Sequence, residues 1–167
     1  MAAGHLIKRF FGSLAPKRLS EDEAAWVARH LEPAEAELWG RMGRADRRHA
    51  VVVGRRVEAA LAGSGEATRP VMAAALLHDV GKVESGLGTY GRVMATLSAR
   101  VAGRDMAEAW SQTQGMTRRI GLYLRHEELG ADLLRLAGSD ERTVALVATW
   151  STPTTPLGER LKAADDA

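Results

Sequence analysis

The stretch Pro70-Val71-Met72-Ala73-Ala74-Ala75-Leu76-Leu77-His78-Asp79-Val80-Gly81-Lys82 decides how this chain is read. Pro70 suits the first turn of a helix, and the unbroken apolar run from Val71 to Leu77 predicts that this helix is buried. Its end carries an imidazole and a carboxylate, His78 and Asp79. Both are costly to take out of water and need a compensating partner. A divalent cation is one such partner. A hydrogen-bonded histidine beside a solvated aspartate is the other, and the dipeptide taken alone favours that simpler arrangement.

Working outward, helical signals dominate. Ser20 followed by Glu23 is a capping-box pattern, and Ala24, Ala25, Val27, Ala28 and Leu31 continue a helical stripe, predicting a helix over 21–31. Pro33 opens a second helix carrying Leu38, Trp39 and Met42, with Gly43 as its stop. A long helix is predicted over 45–62, ending at Gly63-Ser64-Gly65, and the central one over 70–79. Further patterns cover 92–102, 106–112, 117–126, 129–136, 140–150 and 157–165. Val51-Val52-Val53 has strand-like composition, but no turn signals flank it at strand spacing. Gly86-Leu87-Gly88-Thr89-Tyr90-Gly91 is formally a G-x-G-x-x-G string, yet a dinucleotide site needs a strand before it, and here the preceding segment reads as helix. The expected class is an all-α multi-helix globule.

At 167 residues, with 46% hydrophobic and 26% charged, the chain suits one domain with a real core. It contains no cysteine, which excludes disulfides, thiolate metal sites and a cysteine nucleophile, so any metal must sit on nitrogen and oxygen. The net charge of +2 is a small excess and carries no strong nucleic-acid signal. No run approaches the roughly 20 apolar residues of a transmembrane segment, and residues 1–19 read as the N-terminal arm of a cytoplasmic protein. Ile7, Phe10 and Phe11 with Lys8 and Arg9 could lie on an anionic membrane as a short amphipathic helix, but packing of their apolar side on the domain is the expectation. Residues 20–44 read as a helical lead-in to the remainder, 45–167.

Along these helices come Arg48-His49, then Leu76-Leu77-His78-Asp79-Val80-Gly81-Lys82, then His126-Glu127-Glu128-Leu129-Gly130-Ala131, and finally Leu161-Lys162-Ala163-Ala164-Asp165. In this order they resemble the HD superfamily of metal-dependent phosphohydrolases, over most of the chain. The resemblance implies an HD-domain-like fold for 45–167. It also implies that His49, His78, Asp79 and Asp165 converge from three helices onto one divalent metal, with His126 near a second metal or the substrate phosphate. Nitrogen and oxygen ligands of this kind suit manganese, iron, cobalt, nickel or zinc. The implied activity is hydrolysis of a small phosphorylated molecule, with a nucleotide as one option, by metal-activated water. Asp79, Lys82 and His126 are the expected catalytic residues, Lys82 steadying transition-state charge from about one helical turn beyond Asp79 if the helix continues. A solvated lysine at a helix C-terminus is the equally simple alternative. Arg48 and Arg125 are weaker phosphate-clamp candidates.

One departure from the pattern stands out. Members with two metals carry another histidine, often a His-His pair, on the helix after the His126 segment, whereas here Val144-Ala145-Leu146-Val147-Ala148 runs into Thr149-Trp150-Ser151. An indole can donate a hydrogen bond but cannot ligate a cation. The expectation is therefore one metal per chain, and the alternative is a catalytically impaired HD-domain protein acting as a ligand-sensing or protein-interaction module. Trp150 is expected to fill space as a core aromatic, as are Trp26, Trp39 and Trp110, while His5 and His30 look incidental.

Overall fold

A computed structural model describes residues 18–87, 91 and 104–167, and among these every regular element is a helix. In chain order they are α1 (Glu21–Ala28), α2 (Pro33–Arg41), α3 (Arg44–Ala60), α4 (Arg69–Leu77), α5 (Lys82–Ser85) and α6 (Arg104–Ser111). After these come α7 (Gly115–Leu124), α8 (His126–Leu136), α9 (Glu141–Ala148) and α10 (Pro156–Asp166). The arm with His5, the helix expected over 92–102 and most of the glycine string lie outside the described residues. Of that string, Gly86 caps α5 in the left-handed region (φ +56°), so a helical turn and no strand precedes it.

Local chemistry fixes the helix starts. Ser20 Oγ accepts from the Glu23 amide at 3.2 Å and Glu23 Oε2 accepts from the Ser20 amide at 2.9 Å, closing the expected capping box. Pro33 sits in the first turn of α2, and Glu35 Oε2 reaches back to the Glu32 amide at 2.8 Å. α1 stops at Ala28, three residues short of the expected Leu31, and its end is closed by the Arg29 amide on the Ala25 carbonyl at 3.2 Å and a tighter bond from the His30 amide to the Val27 carbonyl at 3.0 Å. Thr155 and Asp140 cap α10 and α9 through the Gly158 and Arg142 amides. Val51 to Val53 lie within α3, where Val51 and Val53 are buried and Val52 is exposed, so helical packing overrides their β-branched composition.

The core is organised around α4, whose residues from Val71 to Leu77 are 0–1% exposed. It packs against α3, α9 and α2, while α10 lies on α3 and α8 packs against both α9 and α5. Alanines at 73, 74 and 75 let these neighbours come close on every side. Trp26, Val27, Leu38, Trp39 and Met42 join the same hydrophobic cluster, so the segment 20–44 completes the core that the later helices form. Trp110 is half-buried outside that cluster. Among the described residues no helix is long and apolar enough to cross a membrane.

Candidate metal centre

The end of α4 creates the site. The α-helix stops at Leu77, and the chain then tightens: Val80 donates to the Leu77 carbonyl at 2.9 Å, Lys82 to Asp79 at 3.0 Å and Val83 to Val80 at 3.2 Å. An α-helix continuing through Lys82, the premise under which that lysine would lie near Asp79, does not form. The i to i+3 bonds give three residues per turn, which eclipses side chains three apart more closely than an α-helix does. Lys82 Nζ consequently sits 2.6 Å from Asp79 Oδ2. Its side chain is only 17% exposed, so it is not the solvated helix-end lysine of the simpler alternative.

Gly81 explains why α8 can reach this corner. A Cβ at position 81 would stand 1.8 Å from the His126 carbonyl oxygen and 2.6 Å from the Gly130 amide nitrogen. The two backbones touch there, and only glycine leaves them room. That contact brings the first residue of α8, His126, over Asp79, with Nε2 3.6 Å from Oδ1. The helix expected over 117–126 instead ends at Leu124, the chain breaks at Arg125, and His126 begins the next helix.

The histidine tautomers follow from their backbone partners. His78 Nδ1 lies 2.9 Å from the Ala75 carbonyl and His126 Nδ1 lies 2.8 Å from the Tyr123 carbonyl. A carbonyl can only accept, so each Nδ1 carries the hydrogen and each Nε2 presents a lone pair when the ring is neutral. His78 Nε2 is buried without a hydrogen-bond partner and faces Asp79 Oδ2 at 3.6 Å. One ligand atom from each of His49, His78 and Asp79 lies within 4.8 Å of the others. Asp165, delivered by α10 lying on α3, joins through His49, whose Nε2 is 2.9 Å from Asp165 Oδ1. The structure thus gathers His49, His78, Asp79 and Asp165 from α3, the end of α4 and α10, and sets His126 and Lys82 beside Asp79.

Electrostatics keep these groups in ligand-ready states. Burial pushes the Asp79 carboxyl up, but the Lys82 ammonium, the His78 and His126 rings and the Lys82 hydrogen bond outweigh it, holding the group well below the usual carboxylate range. Asp165 is likewise held low: burial opposes, while hydrogen bonds from His49 and Trp150 and the nearby His78 ring prevail. Burial lowers His126, helped by Lys82 and opposed by Asp79, so its imidazole is neutral at neutral pH. For Lys82 burial favours the neutral amine, yet Asp79 more than compensates and raises it above the ordinary lysine value.

These donors fit a first-row divalent cation. Imidazole nitrogens and carboxylate oxygens converge without a thiolate, and a buried imidazole nitrogen facing a carboxylate without a hydrogen-bond partner is a polar arrangement that a cation would satisfy.

Two residues gain roles that spacing could not reveal, and two lose theirs. Trp150 is buried as expected, but it packs on the site itself: its ring stacks on His78 with centroids 4.5 Å apart at 15°, and Nε1 donates to Asp165 Oδ2 at 3.1 Å. Tyr123 supplies the carbonyl that orients His126 and places its ring 5.7 Å from the Lys82 ammonium. Arg48 is tied to Glu23 at 2.6 Å, and Arg125 to Glu128 at 2.9 Å and Ser111 at 3.2 Å, so these guanidinium groups are engaged by the protein rather than aimed at a phosphate. His30 bonds to the Trp26 carbonyl and packs on that ring, away from the site. Compared with family models, curated proteins and solved structures, the chain matches none of them.

Proposed function

We propose that this chain is a metal-dependent phosphohydrolase of the HD superfamily, acting on a small phosphorylated molecule, with nucleotides the first substrates to test. The observation that carries this reading is the convergence of His49, His78 and Asp79 ligand atoms within 4.8 Å, with the His78 Nε2 lone pair buried and unpartnered. His49, His78, Asp79 and Asp165 would hold one divalent ion: manganese, iron, cobalt, nickel or zinc. When bound there, such an ion supplies Lewis acidity, lowering the pKa of water from 15.7 toward about 7 and polarising a phosphoryl oxygen.

The remaining work belongs to the chain's own groups. Lys82 keeps its positive charge within the site and can pair with a non-bridging phosphate oxygen as charge builds there. Neutral His126 offers Nε2 as a proton acceptor or hydrogen-bond acceptor at the same corner. Trp150 and the buried end of α4 exclude water from the side of His78 that faces the core. The reading includes a cytoplasmic location, where small phosphorylated metabolites are made and consumed.

Assays of purified protein loaded with manganese, cobalt or nickel, against nucleotides and general phosphatase substrates, test this directly. Absence of turnover with every metal would count heavily against it. One feature favours a second reading, a ligand-sensing or protein-interaction module without turnover: Thr149-Trp150 stands where the two-metal pattern leads one to expect a ligand pair. Protein purified without metal and stabilised by a nucleotide without forming product would favour sensing.

A further inference from the structure

We infer that Trp150 is a positioning residue for the ligand set, holding His78 and Asp165 in register for one cation; this rests on the metal-centre reading above. Three observations carry it. The indole and the His78 imidazole are nearly parallel, 15° apart with centroids at 4.5 Å, so the ring plane of His78 is fixed on one face by Trp150. The Ala75 carbonyl at Nδ1 fixes rotation within that plane, and together they set the direction of the Nε2 lone pair. The indole N–H engages Oδ2 of Asp165 at 3.1 Å, which leaves Oδ1, the oxygen 2.9 Å from His49 Nε2, as the one presented to the site.

Trp150 is itself 5% exposed and follows α9, which packs on α4, so it is anchored by the same core that anchors His78. A single side chain therefore links a ligand from the end of α4 to a ligand from α10. Partners that orient ligating side chains in this way set metal affinity as well as geometry, and their removal typically costs about 10- to 100-fold in affinity.

The test uses cobalt(II) on the full chain, read by calorimetry and by visible absorption, which reports ligand geometry. Trp150→Phe keeps an aromatic face for His78 and removes the N–H. Replacement of Trp150 by β-(3-benzothienyl)alanine keeps the ring size and removes only the donor, so it serves if the phenylalanine variant folds poorly. Either variant should bind cobalt about 10- to 100-fold more weakly, with a shifted visible band. Trp39→Phe, a change in the same hydrophobic core on α2, which carries none of the ligands, should leave both readouts as in the wild type.

Wild-type affinity and an unchanged band in the N–H-deleted proteins would overturn the link to Asp165, and with it the inference that Trp150 holds both ligands in register, while leaving the metal centre intact. A weakened affinity and shifted band in Trp39→Phe as well would also overturn it, by tracing the effect to core packing. Failure of the wild-type chain to bind cobalt, or undiminished binding by Asp79→Asn, would instead overturn the metal-centre reading and this inference with it.

Discussion

Lys82 Nζ lies 2.6 Å from Oδ2 of Asp79, and the aspartate side chain is only 6% exposed. A buried carboxylate stripped of its partner is strongly destabilising, by about 3–5 kcal/mol. Lys82→Met should therefore lower the melting temperature of metal-free protein by several degrees. Manganese should then raise that temperature more in the variant than in the wild type, because a cation restores the missing charge. Calorimetric scans with and without manganese check both halves, and an unchanged metal-free melting point would refute the first.

The same lysine should matter separately for turnover. If Lys82 stabilises charge on the phosphoryl group, Lys82→Gln should lower kcat by about 100- to 1,000-fold. Metal content should stay near that of the wild type, since the ligand atoms are untouched. Elemental analysis beside initial-rate kinetics separates this outcome from a lost metal site.

Asp79→Asn keeps the size of the side chain and removes its charge. The expected result is protein that folds but purifies without metal and does not hydrolyse phosphate esters. Metal bound at wild-type stoichiometry after this change would show that the ligands lie elsewhere.

Gly81→Ala should be severe, because the added methyl would meet the His126 carbonyl at 1.8 Å and neither backbone can yield cheaply. Overpacking of this kind costs about 1–3 kcal/mol and more where backbone must move. Gly40→Ala is the contrast: it lies in α2 with nothing within 4 Å, and should be stabilising by about 0.5–1 kcal/mol. Denaturant unfolding of the pair measures the difference, and similar midpoints would contradict the close crossing of α5 and α8.

The pH dependence of metal-free stability follows from the direction of each shift. Asp79 and Asp165 are held below the ordinary carboxylate value of 3.8, so their contribution is complete above that value and is lost as pH falls through their depressed folded values. His126 is lowered from 6.5, so between its folded value and 6.5 the unfolded chain binds more protons and stability rises with pH. Lys82 is raised above 10.5, and its stabilisation is present below 10.5 and fades as pH climbs through the folded value. Unfolding at a series of pH values should give declines at both acid and alkaline extremes, and Lys82→Met should remove the part of the alkaline decline due to this group.

Much of the fold was written in local chemistry. The Ser20 and Glu23 capping box, Pro33 in the first turn of α2 and the seven apolar residues before His78 each act over a few positions, and each forms the element its chemistry calls for. The order of His49, His78, Asp79, His126 and Asp165 named the side chains that meet. Their meeting itself is a tertiary event: α10 must lie on α3 to carry Asp165 to His49, and α8 must touch Gly81 to carry His126 to Asp79. Nothing within a short window encodes such contacts. Trp150 was hidden for the same reason, since it packs on partners distant in sequence.

The closure between His49 and Asp165 carries a mechanical consequence. It joins α3 to the last helix of the chain, so an ion gripping both would act as a staple across nearly the whole folded length. Tying such distant positions together removes the disorder gained when α10 peels away. Loading with metal should accordingly slow digestion from the C-terminal side, and a chelator should hasten it, long before the remainder of the protein opens.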